Sequence, residues 1–245
     1  DQVEKHAPDG YDKIFIYLIR QKQFYNFVLA DKDKNTFLKY GADPKYIKKI
    51  KNGINSKVFE FRETPLYDKT IYLGKITPRK NQAKYQSIET IDFVGNIEKK
   101  IEENTEEKIE EKIEENTEEI IFDTTRTNYL GEWTREKIHS DLTNYTNLIL
   151  LSEGEADPLV VKEALICGLG VVINKSSAEN LDTDKEFITI IEDDKINDLQ
   201  YIVNKIEENK QIAISRRKEI HEYGIRKFDI SIEVQKYMEI INKIV

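Results

Sequence analysis

The sequence predicts an α/β fold built on a parallel sheet, and three observations carry that reading. Short apolar runs recur at residues 70–73, 91–94, 147–151, 171–173 and 186–191, each bounded by glycine or polar residues. Continuous runs of this kind suit strands buried on both faces, as parallel strands are. Stretches with helical spacing separate several of them, and residues 147–173 read as strand, loop, helix, tight turn and strand, a βαβ unit.

The elements follow in chain order. Residues 1–60 read as a shortened N-terminal α/β portion, with strands at 13–19 and 24–30 and a helix at 33–40 stopped by Gly41. A short strand at 46–50 then leads into the turn 51–55. A larger unit spans 61–229. Its first strand, 70–73, runs into Gly74, a basic loop with Lys75, Arg79 and Lys80, and a helix start. Residues 91–95 are a second strand ending in glycine. From 97 to 119, Ile97, Ile101, Thr105, Ile109, Ile113 and Thr117 recur every fourth position. A step of four overshoots the helical turn, so this stripe drifts around the axis and predicts a solvated, charged insertion, a helix or helical hairpin, with a partner-binding coiled coil as the alternative.

Residues 128–133 read as a strand and loop, and Thr134 caps a helix over 135–145 whose stripe is Ile138, Leu142 and Tyr145. His139 reads as structural, and Trp133 as a core or hinge residue, the alternative being a ring packed beneath a ligand's base. In the βαβ unit, Asp157 is the expected N-cap, Pro158 the first helical residue, and 159–167 the helix. Gly168 and Gly170 allow the turn into strand 171–173. A strand at 186–191 and helices at 197–209, 213–223 and 230–245 complete the chain.

The βαβ unit also carries the chemistry. Ligands of open α/β sheets bind where a strand's carboxyl end meets a helix N-terminus. Such a terminus favours an anion, whereas Glu155 and Glu163 flank it and would repel one directly. Carboxylates accept hydrogen bonds from sugar hydroxyls, so a phosphate with hydroxylated rings on both sides satisfies every part, as a nucleotide sugar does. The alternative is an ordinary capped helix, with both glutamates solvated and Ser152 to Glu155 a chance capping box.

Composition narrows the classes. The chain has 245 residues, 39% hydrophobic and 34% charged, with a net charge of −8. An acidic balance argues against nucleic acid or an anionic membrane as main partner. Cys167 is the single cysteine, so no intrachain disulfide forms and a reducing, cytoplasmic setting is expected. No transmembrane or signal-peptide pattern is visible. Asp193-Asp194 is not a spaced metal motif, and no His/Cys cluster exists.

Glu155, seven residues, then Glu163-Ala-Leu-Ile-Cys-Gly resembles the Glu-x7-Glu signature of family-4 retaining glycosyltransferases of the GT-B fold. Residues 74–82 are similar to that family's Gly-Arg-Leu-x-Pro-x-Lys-Gly loop. Lys75 stands at the Arg position, Lys80 at the Lys position, and Asn81 replaces the second Gly. Residues 41–59 are similar to the end of the family's N-terminal domain, with Lys51 where Pro is frequent. Residues 128–131 resemble its Phe-Leu-Gly strand, and 221–228 its closing pattern, after which a helix at 230–245 crosses back to the first domain.

The resemblance implies a GT-B type, Rossmann-like donor domain behind a truncated N-terminal portion. It implies Lys80 and Glu155 as catalytic residues, Lys80 stabilising the departing diphosphate and Glu155 orienting the sugar. Gly74, Lys75, Arg79, Asp157, Pro158, Leu159, Val160 and Glu163 would bind the donor, Glu163 through ribose hydroxyls. The donor would be a UDP- or GDP-linked sugar, a substrate rather than a cofactor, transferred without metal and with retention to a glycan, lipid or protein acceptor. The family's glycine-rich acceptor loop and cleft His have no counterpart, so the acceptor half is expected to be missing or shortened. A homo-oligomer or a partner chain is left open. The alternative function is a non-catalytic nucleotide-sugar-binding or assembly module.

Overall fold

A computed structural model describes residues 9–97 and 121–243. The expected insertion at 97–119 lies, beyond Ile97, outside the described residues. The N-terminal lobe comprises helix α1 (Asp9–Ile19), strand β1 (Asn26–Val28), helix α2 (Asp31–Lys39) and strand β2 (Ile47–Lys49). β1 and β2 pair in parallel, Asn26 opposite Ile47. Ile19, Val28, Ala42 and Ile47 form a small core, with Phe15, Phe37, Leu38 and Tyr40 packed against it.

Residues 13–19, read as a strand, belong to α1. An unbroken apolar run does not distinguish a buried strand from a helix face. Here the contacts decide, because Phe15 and Ile19, one helical turn apart, join the core. Ile14, Tyr17 and Leu18 stay exposed.

The larger lobe holds an all-parallel sheet of five strands. They are β3 (Thr70–Leu73), β4 (Ile91–Val94), β5 (Asn147–Leu150), β6 (Gly170–Asn174) and β7 (Ile188–Ile191), in spatial order β4-β3-β5-β6-β7. β3, β4, β5 and β6 are buried along their whole length, as their mainly apolar sequences suit, with Thr70, Asp92, Asn147 and Asn174 the buried polar exceptions. Residues 128–131 run beside β4, with the Phe93 N–H on the Asn128 carbonyl and the Leu130 N–H on the Phe93 carbonyl. The expected strand there is thus reduced to a flanking segment.

Helices α3 (Gln82–Tyr85), α4 (Arg135–Asp141), α5 (Leu159–Ile166), α6 (Leu199–Ser215) and α7 (Arg217–Phe228) make the connections. Thr134 caps α4 by accepting from the Lys137 N–H. Asn209 of α6 is fully buried and donates to the Val171 and Phe187 carbonyls, pinning that helix to the sheet. Among the described residues, no helix is long and apolar enough to cross a membrane.

The last helix, α8 (Ile230–Asn242), returns to the N-terminal lobe, where Tyr237 stacks on Phe27 at 5.0 Å. Ile54 exchanges main-chain hydrogen bonds with Phe228 and Ile230, both 2.8 Å. Asp229 caps α8 through the Ser231 N–H and accepts from Ser56 Oγ of the inter-lobe chain. Hydrogen bonds from Ser231, then Ser56, pull the Asp229 carboxyl from 3.8 down to about 2.

Asp157 is not the N-cap of α5. Pro158 takes that place and Leu159 is the first helical residue. Asp157 turns inward, where Oδ2 meets Lys162 Nζ at 2.6 Å and the Asn52 N–H at 2.6 Å. Lys162 also donates to the Asn52 carbonyl at 2.8 Å, and Asn52 Nδ2 donates to the Asp157 carbonyl at 3.1 Å. The side chains of the pair are 0% and 1% exposed, so each charge survives burial only because the other is present.

Two predictions follow from these contacts. Replacing Lys162 by Met strands the Asp157 charge, and urea unfolding should register a loss of about 3–5 kcal/mol. The double variant Asp157→Leu/Lys162→Met should recover most of it; a single variant as stable as the parent would remove the buried pair from the account. Asp229 has a depressed folded-state pKa, so its contribution is complete above about pH 4 and fades as pH falls toward 2. The stability gap between the parent and Asp229→Asn should therefore stay constant above about pH 4 and close below it. A gap independent of pH contradicts the assignment.

Candidate functional site

The chain passes from β3 outward to β4 and then returns to β5 on the other side of β3. The carboxyl ends of β3 and β5 therefore flank the reversal of strand order, where open α/β sheets form a crevice. Two loops meet there, 74–81 after β3 and 151–158 after β5.

They are stitched together mainly through main-chain groups. The Glu153 N–H donates to the Arg79 carbonyl at 2.9 Å, Asn81 Nδ2 to the Leu151 carbonyl at 3.1 Å, and the Arg79 guanidinium to the Gly154 carbonyl. Tyr72, fully buried at the end of β3, accepts from the Leu151 N–H at 3.0 Å and donates to the Lys80 carbonyl. Burial raises the pKa of this phenol, so it remains a donor. Gln82, also buried, reaches back to the Lys75 carbonyl at 2.9 Å and fixes the start of the basic loop. Sequence reading missed Tyr72 and Gln82, since each looks like an ordinary strand or helix residue.

Glycine is required just past the ends of two strands, β3 and β4. Gly74 has φ +150, and a Cβ on it would lie 3.1 Å from Lys80 Nζ. Gly95 has φ +155, and its Cβ would come within 2.0 Å of the Gly74 carbonyl oxygen. Asn81, the residue in place of a glycine, adopts the left-handed conformation at φ 57. Asparagine is among the few side chains that tolerate it, so the substitution keeps the backbone turn.

The charges converge on Glu155. Its Oε1 lies 3.5 Å from Lys80 Nζ and 3.6 Å from Arg79 NH1. That oxygen is buried yet accepts no hydrogen bond, the ion pairs being too long and misaligned to provide one. From the N-terminal lobe, Lys32 at the start of α2 donates to the Glu155 carbonyl at 2.5 Å. Lys49 reaches Glu179, beyond β6, at 2.5 Å, and Asn180 donates to the Leu29 carbonyl at 3.1 Å. These residues hold the smaller lobe against the crevice and carried no sequence signal.

Leu159 and Val160 open the first turn of α5, behind the N-cap Pro158. One turn on, Glu163 is buried, with Oε1 2.8 Å from the exposed guanidinium of Arg135 at the start of α4. Of the residues singled out by sequence, the structure thus brings Gly74, Arg79, Lys80 and Glu155 into one cluster. Glu163 lies beside it, on the α4 side of α5. Lys75 is exposed on the basic loop, and Asp157 belongs to the interior. His139 packs edge-on against Phe59, and Cys167 is fully buried, which raises its thiol pKa well above the usual range. Among the described residues, no group of three or more His, Cys, Asp or Glu side chains converges as metal ligands do.

No protein-family model and no curated protein matches the chain. Solved structures do. HepE of Anabaena in complex with UDP-glucose superposes with a TM-score of 0.69 at 13% identity, over 98% of this chain and 69% of that one. Sucrose-phosphate synthase of Thermosynechococcus elongatus gives 0.71 at 14% identity, over 98% and 63%. A glycosyltransferase of Rickettsia africae gives 0.64 at 15% identity, over 98% and 68%. At such identities the likeness concerns architecture, and the architecture is that of GT-B proteins: a Rossmann-like lobe joined to a second α/β lobe.

Proposed function

We propose that the chain is a glycosyltransferase of the retaining family-4 type that takes its sugar from a UDP-linked donor. The observation that carries this reading is Glu155 Oε1, a buried oxygen on a side chain 14% exposed, without a hydrogen-bond donor and faced by two cations at the crevice. A buried acceptor left unsatisfied costs about 1–3 kcal/mol, which a sugar hydroxyl would recover. HepE complexes with UDP and with UDP-glucose motivate the choice of base.

In this reading the diphosphate lies over Gly74, against Lys80 and Arg79, with Lys75 at its edge and the N–H groups of Leu159 and Val160 opposite. These fixed positive groups stabilise the charge that develops on the departing nucleotide. Glu155 orients the sugar, and Glu163 accepts the ribose hydroxyls, sharing its carboxylate with Arg135. The positive field is built from side chains and main-chain dipoles, so donor binding is proposed to be independent of metal. Asp157 acts indirectly, by fixing the start of α5. The acceptor would be a glycan, lipid or protein approaching from the N-terminal lobe.

Calorimetric titration with UDP, GDP and ADP, each repeated with EDTA, tests the reading. UDP should bind equally well with the chelator, and Lys80→Ala should abolish measurable binding. Glu163→Ala should weaken it about tenfold to a hundredfold, the loss expected of charged hydrogen bonds. Failure of all three nucleotides to bind would refute the donor site. Binding without release of sugar from UDP-glucose would favour a nucleotide-sugar-binding module over an enzyme.

A further inference from the structure

We propose that a second pocket, on the flank of α4 away from Glu163, binds an uncharged saccharide of one or two rings. The pocket has a volume of about 410 Å³. That falls within the roughly 300–1,000 Å³ typical of small-molecule sites. Tyr67 and Lys69 enter it from the chain leading into β3, Asp92 from β4, and Tyr145 from the chain leading into β5. Trp133, just before α4, and Lys137 and Asp141 on it, spaced by four, supply that wall. Lys69, Asp92 and Tyr145 mark the amino-terminal ends of the strands, whereas the loops around Glu155 follow the carboxyl ends.

Asp92 is the clue to its use. The other three residues of β4 are buried and apolar, and a carboxylate among them is costly unless it is bonded. Its Oδ1 meets Lys69 at 2.7 Å and its Oδ2 accepts from the Tyr145 hydroxyl at 2.9 Å. A carboxylate offers about four acceptor directions, so each oxygen can take a further hydrogen bond from a ligand. Burial and the neighbouring Asp92 charge raise the Tyr145 pKa, which keeps that phenol protonated and donating.

The lining balances Asp92 and Asp141 with Lys69 and Lys137, a formal sum of zero. A ligand with a net charge would face a wall of its own sign as much as of the opposite one. Hydroxyl groups suit both signs, donating to carboxylates and accepting from ammoniums. Tyr67 and Trp133, each beside Tyr145 at 5.3 and 6.2 Å between ring centroids, add the apolar faces on which the C–H side of a sugar ring packs. If the transferase reading holds, such a pocket would retain glycan away from the point of transfer; the binding claim itself does not depend on that reading.

Trp133 is the single tryptophan of the chain, so its fluorescence reports on this pocket directly. The full chain would be titrated with glucose, N-acetylglucosamine, maltose and lactose, and with glucuronate and glucosamine as charged counterparts. Each titration would be run with and without saturating UDP. At least one neutral sugar should give a saturable change that UDP does not displace, with its charged counterparts weaker. Tyr67→Ala and Asp141→Asn, both at solvent-accessible positions, should each weaken that sugar about tenfold while leaving UDP affinity unchanged. No saturable response to any neutral sugar overturns the proposal, as do displacement by UDP, equal binding of charged counterparts, or two folded variants that bind like the parent. A failed UDP titration alone would strike the donor reading and leave this one standing.

Discussion

The Asp157–Lys162 pair holds the molecule together at the point where its parts would otherwise be free to move. Both side chains are withdrawn from water, so neither can leave the other without exposing a bare charge to the interior. Asn52 bonds to both, donating to Asp157 Oδ2 and its carbonyl and accepting from Lys162, and Asn52 belongs to the chain between the two lobes. The Lys162 ammonium also stands over the Phe228 ring, 5.5 Å from its centroid, at the end of α7. One buried contact therefore fixes the start of α5, the inter-lobe turn and the approach to the returning helix. An apolar contact would bury these segments as well, but it would tolerate sliding. Hydrogen bonds of fixed direction do not.

That rigidity matters for the crevice. Loops rich in charge have little apolar surface to hold them, and like charges on Arg79 and Lys80 repel. Here the loops are held by main-chain bonds and by the Tyr72 phenol placed between them, so the cations need not supply their own anchoring. Glu155 offsets part of their repulsion without hydrogen-bonding to either. The positive charges are thus held close beside the carboxylate before any ligand arrives, as the proposed donor site requires.

The strands of the larger lobe were legible because burial on both faces leaves a plain apolar signature. The charged residues of the crevice were legible through their spacing around Gly74 and between Glu155 and Glu163. What escaped was whatever depends on three-dimensional pairing. Asp157 stands where an N-cap belongs, and only the position of Lys162 and Asn52 shows that its carboxylate points inward. Lys162, between Val161 and Glu163, carries no sign in the sequence that it is buried. Residues 13–19 look like a strand because their apolar run has no period, and contacts with Phe37 and Val28 make them a helix. Lys32, Tyr72 and Gln82 act through main-chain carbonyls, and such bonds leave no complementary residue in the sequence to be found.

The same backbone constraints account for a shared fold at low sequence identity. Identities of 13–15% to GT-B structures leave few shared residues, yet nearly the whole chain superposes. The constraints visible in this chain are conformational rather than chemical. The carboxyl end of β3 needs a residue without a Cβ where Lys80 folds back, and β4 needs one where its chain passes within contact of Gly74. The residue after Lys80 must reach the left-handed region, which Asn81 does as a glycine would. Lys75 can stand where the resemblance places an arginine, because a loop pinned by Gln82 and Tyr72 does not rely on that side chain for its shape. Once the backbone sets the crevice, substitutions along its rim alter the strength and geometry of ligand contacts while the architecture stays the same.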